Sequence, residues 1–198
     1  MTATVSKLTD RPVVRQATPV SSGVLGMIFL IFTELMMFSG LISAFIIVKG
    51  ASIDGVWPPV GQPRLPVEAT AFNTLVLLAS GFVMYRASKK FEVGSDSAKS
   101  TLGLAMGLGV FFVLFQGKEW VDLLSQGLTM THTTYGSFFY LIVGFHGLHA
   151  VVAILIVGWL YFQVSSKKAT VSQVQTASLF WYFVVGLWPI LYWLVYLS

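Results

Sequence analysis

Three side chains in this 198-residue sequence combine ionisable chemistry with apolar surroundings: Glu34, His146 and His149. Glu34 stands about ten residues into a continuous apolar run, roughly 15 Å along a helix that rises 1.5 Å per residue. A carboxylate at that depth costs several kcal/mol unless it is neutral or paired. Two readings of Glu34 stand side by side. It is either a proton-related site or a hydrogen-bonded acid that glues helices, a task a glutamine would perform at lower cost. His146 and His149 are three positions apart, so their rings fall within about 60° on one helix face. Such a pair can contribute to a metal site, but two nitrogens do not complete one. Haem ligation from two helices needs another histidine, and the remaining one, His132, lies in a connection. The alternative is a pair of buried, hydrogen-bonded imidazoles. A neutral imidazole and a protonated Glu34 would suit each other, because each satisfies the other without a net buried charge.

The elements that must hold these groups follow from composition. The chain is 56% apolar and only 10% charged, with a mean hydropathy of +0.79. Soluble domains carry roughly 25% charged residues, so a water-exposed surface cannot be covered here. A soluble enzyme and a disordered tail are both excluded. Cys is absent, which removes disulfides, thiolate metal sites and a Cys nucleophile. The net charge of +4 resides in short connections rather than a basic stripe, so nucleic acid is not an expected partner.

Residues 1–22 are polar, with Lys7, Arg11, Pro12, Arg15 and Pro19, and read as a mobile or extended arm without a signal-peptide core. Five apolar runs follow, at about 24–48, 67–86, 101–124, 135–162 and 177–197. Each is long enough to cross a bilayer. Lipid-facing backbone must satisfy its own hydrogen bonds, so the runs are helices. The fold class is therefore all-α: a polytopic five-helix membrane bundle over 23–198. Gly103 with Gly107, and Gly144 with Gly147, are small-residue pairs that permit close helix contact. The outer loop 50–66 is stiffened by Pro58, Pro59, Pro63 and Pro66. Lys118, Glu119 and Asp122 mark an amphipathic end of the third helix. A carboxyl-directed carbodiimide is accordingly expected at Glu34 before Glu68, Glu92 or Glu119, which this reading places near water.

At this point the residues resemble a known family, subunit III of the haem-copper oxygen reductases of the cytochrome c oxidase type. The likeness runs from about Gly23 to Ser198. It rests on Leu25-Gly26-Met27 through Phe32-Thr33-Glu34-Leu35-Met36-Met37-Phe38, on Trp57-Pro58-Pro59, and on Asn73-Thr74-Leu75-Val76-Leu77-Leu78-Ala79-Ser80-Gly81. It continues in Tyr135-Gly136-Ser137-Phe138-Phe139 and Gly144-Phe145-His146-Gly147-Leu148-His149. The resemblance implies a non-redox accessory subunit, with haem and copper in partner subunits I and II and none in this chain. Its role would be to keep proton uptake fast and to protect the catalytic subunit during aerobic respiration. It further implies direct helix packing on subunit I, contact with membrane lipids and residence in a bacterial plasma membrane.

Several features depart from the family pattern. Mitochondrial-type members have seven helices, and the first two find no counterpart here. Those two form one wall of a lipid-filled cleft, so bound phospholipid carries over only in part. The usual Trp-His-Phe-Val-Asp string reads Trp181-Tyr182-Phe183-Val184-Val185, and Gln163 replaces a common arginine. Related roles in a quinol oxidase or a nitric oxide reductase complex fit the same motifs. A small transporter is a different class of reading, for which broken helices and midplane polar clusters are missing from the sequence.

Basic residues set the orientation. Lys7, Arg11, Arg15, Arg86, Lys89, Lys90, Lys99, Lys167 and Lys168 fall on one side, and Lys49, Arg64 and Lys118 on the other. The positive-inside rule then puts the N-terminus in the cytoplasm and the C-terminus outside. Because the chain has no cysteine, single-cysteine reporters test this cleanly. Reporters near Lys89 and Lys167 should label only from the cytoplasm, and those near Gly61 and His132 only from outside. Labelling in the opposite sense would reverse the assignment.

Overall fold

The computed structural model describes residues 21–51, 57, 63–131 and 133–197. The N-terminal arm, most of the 50–66 loop and His132 lie outside the described residues. Five helices account for nearly all of the rest: α1 (Ser22–Gly50), α2 (Val67–Glu92), α3 (Ala98–Ser125), α4 (Thr134–Ser165) and α5 (Val171–Tyr192). A π-helical turn, Trp193–Leu197, continues α5. No strand occurs among the described residues. All five helices are long and apolar enough to cross a membrane, so the chain is an all-α polytopic membrane protein.

Helix ends lie beyond the apolar runs because polar capping groups, not hydropathy, set them. Thr170 Oγ1 accepts from the Gln173 amide while Gln173 Oε1 accepts from the Thr170 amide. This reciprocal box satisfies two otherwise orphaned donors and starts α5 at Val171, six residues before the apolar run that begins at Ala177. Ser21 Oγ accepts from the Val24 amide at the start of α1, and Thr133 Oγ1 from the Gly136 amide at the start of α4. At the end of α3, Gly127 adopts φ of 90°, which lets the Leu128 amide reach back to the Leu123 carbonyl.

α2, α3, α4 and α5 form a ring in which each helix packs on its neighbours, and α2 with α3 is the most extensive pair. α1 stands outside the ring, docked on α5 and more lightly on α4. Its only buried residues are Phe38 and Phe45, so most of its length faces lipid or another chain. Three attachments hold it. Ser172 Oγ lies 2.6 Å from Ser21 Oγ at one end. Phe45 meets Trp57 and Phe138 edge-on at the other. Between them lies the contact of Glu34 with α4.

Close backbone approach occurs at glycines other than two of those picked out by spacing. A methyl group at Gly107 or Gly144 would meet nothing within 4 Å. A Cβ at Gly109 would come within 2.5 Å of the buried Trp181 ring, and one at Gly147 within 2.9 Å of Trp120. Spacing identifies candidates, but the facing aromatic decides which glycine is needed. Gly109→Ala should therefore lower stability by about 1–3 kcal/mol through overpacking. Gly107→Ala on the same helix should leave it unchanged or slightly raised. Thermal unfolding of the two variants in one detergent checks this. Equal losses would mean that the Trp181 contact does not limit packing.

Candidate functional site

The Glu34 carboxylate and the His149 imidazole meet where α1 crosses α4. Glu34 Oε2 lies 3.0 Å from His149 Nε2. The other ring nitrogen, Nδ1, is 2.7 Å from the Phe145 carbonyl one turn back. A carbonyl only accepts, so Nδ1 carries a proton and the tautomer is fixed. That leaves Nε2 as the ring nitrogen that faces the Glu34 carboxyl. Oε2 has no well-directed hydrogen bond, so proximity rather than linearity defines the pair.

The walls of the pair are aromatic. Phe38 of α1 lies 5.5 Å from the His149 ring, and Phe180 and Phe183 of α5 lie 6.3 Å away. Such surroundings strengthen polar interaction and penalise an unpaired charge. The site is nevertheless not sealed. The His149 and Glu34 side chains retain 13% and 23% of their exposure, which places the pair at the rim of the bundle rather than in its core.

His146 is separated from that pair. It is fully buried, its ring stacked on Trp188 at 5.0 Å and 29°. Neither ring nitrogen has a hydrogen-bond partner. Hydrogen bonding of the two histidines is therefore seen for His149 and, among the described residues, not for His146. Trp188 in turn sends its Nε1–H to Thr74 Oγ1 at 2.9 Å. No three His, Asp or Glu side chains converge as metal ligands among the described residues.

A second carboxyl escapes the reading by charge and hydropathy. Glu119 is buried rather than exposed: it is 6% exposed, between α2 and α3. Its Oε2 accepts from Thr70 Oγ1 and from Gln116 Nε2, each at 2.9 Å. Gln116 Nε2 also reaches the Tyr196 hydroxyl at 3.1 Å, and Asn73 Nδ2 donates to the Phe112 carbonyl at 3.1 Å. The signal available in the sequence was periodicity. Thr70, Asn73, Thr74 and Leu77 on α2, like Phe112, Gln116, Glu119 and Leu123 on α3, repeat at helical spacing and form buried faces.

The sequence profile described as Cytochrome c oxidase subunit III matches residues 13–198. A Synechocystis sp. protein named "Cytochrome c oxidase subunit 3" is 31% identical over 177 residues, covering 87% of this chain and 74% of the relative. A Mycobacterium leprae protein named "Probable cytochrome c oxidase subunit 3" is 32% identical over 175 residues, covering 86% and 85%. The "Cytochrome c oxidase subunit 3" of Aepyceros melampus is 32% identical over 179 residues, covering 86% and 67%.

A double-mutant cycle tests whether Glu34 and His149 hold α1 together. His149→Phe should destabilise, because it leaves the Glu34 carboxyl opposite an apolar ring. The pair Glu34→Leu with His149→Phe should cost less than the sum of its parts, with a coupling of about 0.5–2 kcal/mol. Strict additivity in unfolding measurements would show that the two side chains do not interact.

Proposed function

The chain belongs to the cytochrome c oxidase subunit III family, and on that premise we propose that it is the accessory subunit of a proton-pumping haem-copper terminal oxidase. A subunit III is a membrane component of an oxidoreductase complex with other oxidase subunits. In this reading haem and copper reside in subunits I and II, and this chain packs directly on subunit I. The exposed apolar length of α1, from Leu25 and Phe29 to Ile46 and Ile47, supports helix-to-helix packing of that kind. The complex resides in a bacterial plasma membrane with the N-terminus of this chain in the cytoplasm.

The observation that carries the functional reading is the Glu34–His149 pair, 3.0 Å apart on a helix crossing. Two neutral residues would join α1 to α4 without placing an acid and a base at membrane depth. An acid and a base that share one proton at constant net charge respond to charge in a neighbouring subunit without a large desolvation cost. That property suits a subunit that keeps proton uptake fast and protects the catalytic centre during turnover.

Glu34→Gln separates this role from simple gluing. Assembly and haem content should remain normal, because a glutamine can still hydrogen-bond His149. The proton-to-electron ratio should fall, or activity should decay faster during turnover. Unchanged pumping and unchanged decay in the intact complex would reduce Glu34 to a structural acid.

A further inference from the structure

Glu119 has features that helix packing does not require. Among the described residues the carboxyl is satisfied on one oxygen only: Oε2 accepts two hydrogen bonds, while Oε1 is buried with no partner. The ion pairs formed by the described residues are Lys89–Glu92 and His149–Glu34, so no cation compensates Glu119. Yet Glu119 lines a cleft of about 250 Å³ that also receives Arg64, Lys118, Asp122 and Gln126. The cleft lies where α2 begins and α3 ends, so water at that end of the bundle can reach it.

This asymmetry is that of a carboxylic acid, whose C=O oxygen accepts and whose other oxygen carries hydrogen. A carboxylate would leave a charged oxygen with no donor beside it, the costlier arrangement in a buried site. We propose that Glu119 is a proton-binding site of this chain, separate from the Glu34–His149 pair. Gln116, whose amide nitrogen can only donate, fixes Oε2 as the carbonyl oxygen, while Thr70 Oγ1 divides its one hydrogen between Oε2 and the Pro66 carbonyl, each 2.9 Å away; Oε1 takes the proton from hydronium in the cleft, leaving water behind. No electron moves in this step. Other titratable and charged groups surround the site: Arg64 ahead of α2, Lys118 and Asp122 on α3, Tyr192 on α5, and Tyr196 on the π turn with Tyr135 of α4 behind it. Tyr196 is tied to the same network through Gln116. Arg64 and Lys118 offset Asp122, which keeps the mouth of the cleft from being strongly acidic.

Infrared spectroscopy of the intact complex in lipid nanodiscs tests this directly. A protonated-carboxyl C=O band should be present, should disappear on raising pH, and should shift in D₂O as the proton exchanges. The band should vanish in Glu119→Gln and persist in Glu34→Gln. Thr70→Val keeps the side-chain shape and removes one hydrogen bond to Oε2, so the band should move to higher frequency. Should Glu119→Gln fail to assemble, the Thr70→Val shift decides by itself. A band unchanged in either the Glu119 or the Thr70 variant would overturn the proposal, as would a band that never exchanges.

Discussion

A polar group at hydrocarbon depth has no water to fall back on, and the chain meets that constraint by pairing such groups between helices. Glu34 is the case on which the position of α1 depends. Without His149 opposite it the acid would lose its partner, and the middle of α1 would lose the one polar tie to the ring that the described residues supply. The end contacts, Ser21 with Ser172 and Phe45 with Trp57, set tilt and height. One rotation of α1 turns Glu34, Phe38 and Phe45 inward together, so the acid and the two rings select the same face.

The ring itself follows the same rule in a different form. α5 touches α1, α2 and α4, and its buried residues include Trp181 and Trp188. Large rings at a central position need small partners, and Gly109 under Trp181 supplies one. Their indole N–H groups need acceptors: Trp188 finds Thr74, whereas Trp181 finds none. Pro189 interrupts the hydrogen-bond ladder of α5 one turn before its end. Beyond it, the π turn carries Tyr196 inward to Gln116. The last residues thus close the Glu119 network from one side, while Thr70 closes it from another.

The number of helices and their approximate positions were readable from hydropathy, because crossing a bilayer leaves so few choices, and Glu34 was readable as an acid within an apolar run. The family strings around Glu34 and His149 were readable as local sequence. Which histidine meets Glu34 was not, since three positions of spacing separate a rim ring from one stacked beneath Trp188. The burial of Glu119 was hidden for a related reason. Counting charges near a helix end treats Lys118, Glu119 and Asp122 alike, although one turn of helix points Glu119 at Thr70 and leaves its neighbours along the cleft. Periodicity of polar residues on α2 and α3 carried that information, but it becomes decisive only once the two helices are known to face each other.

The central claim is that Glu34 and His149 pair across the α1–α4 crossing, with the Nδ1–H of His149 turned to the Phe145 carbonyl. Magic-angle-spinning NMR of the intact complex in bilayers, with ¹⁵N-histidine and ¹³C-glutamate labels, measures it most directly. The account predicts a dipolar coupling between His149 Nε2 and the Glu34 carboxyl carbon that matches a 3.0 Å Nε2–Oε2 contact, together with a protonated Nδ1. Absence of that coupling, with an unprotonated Nδ1, would contradict it.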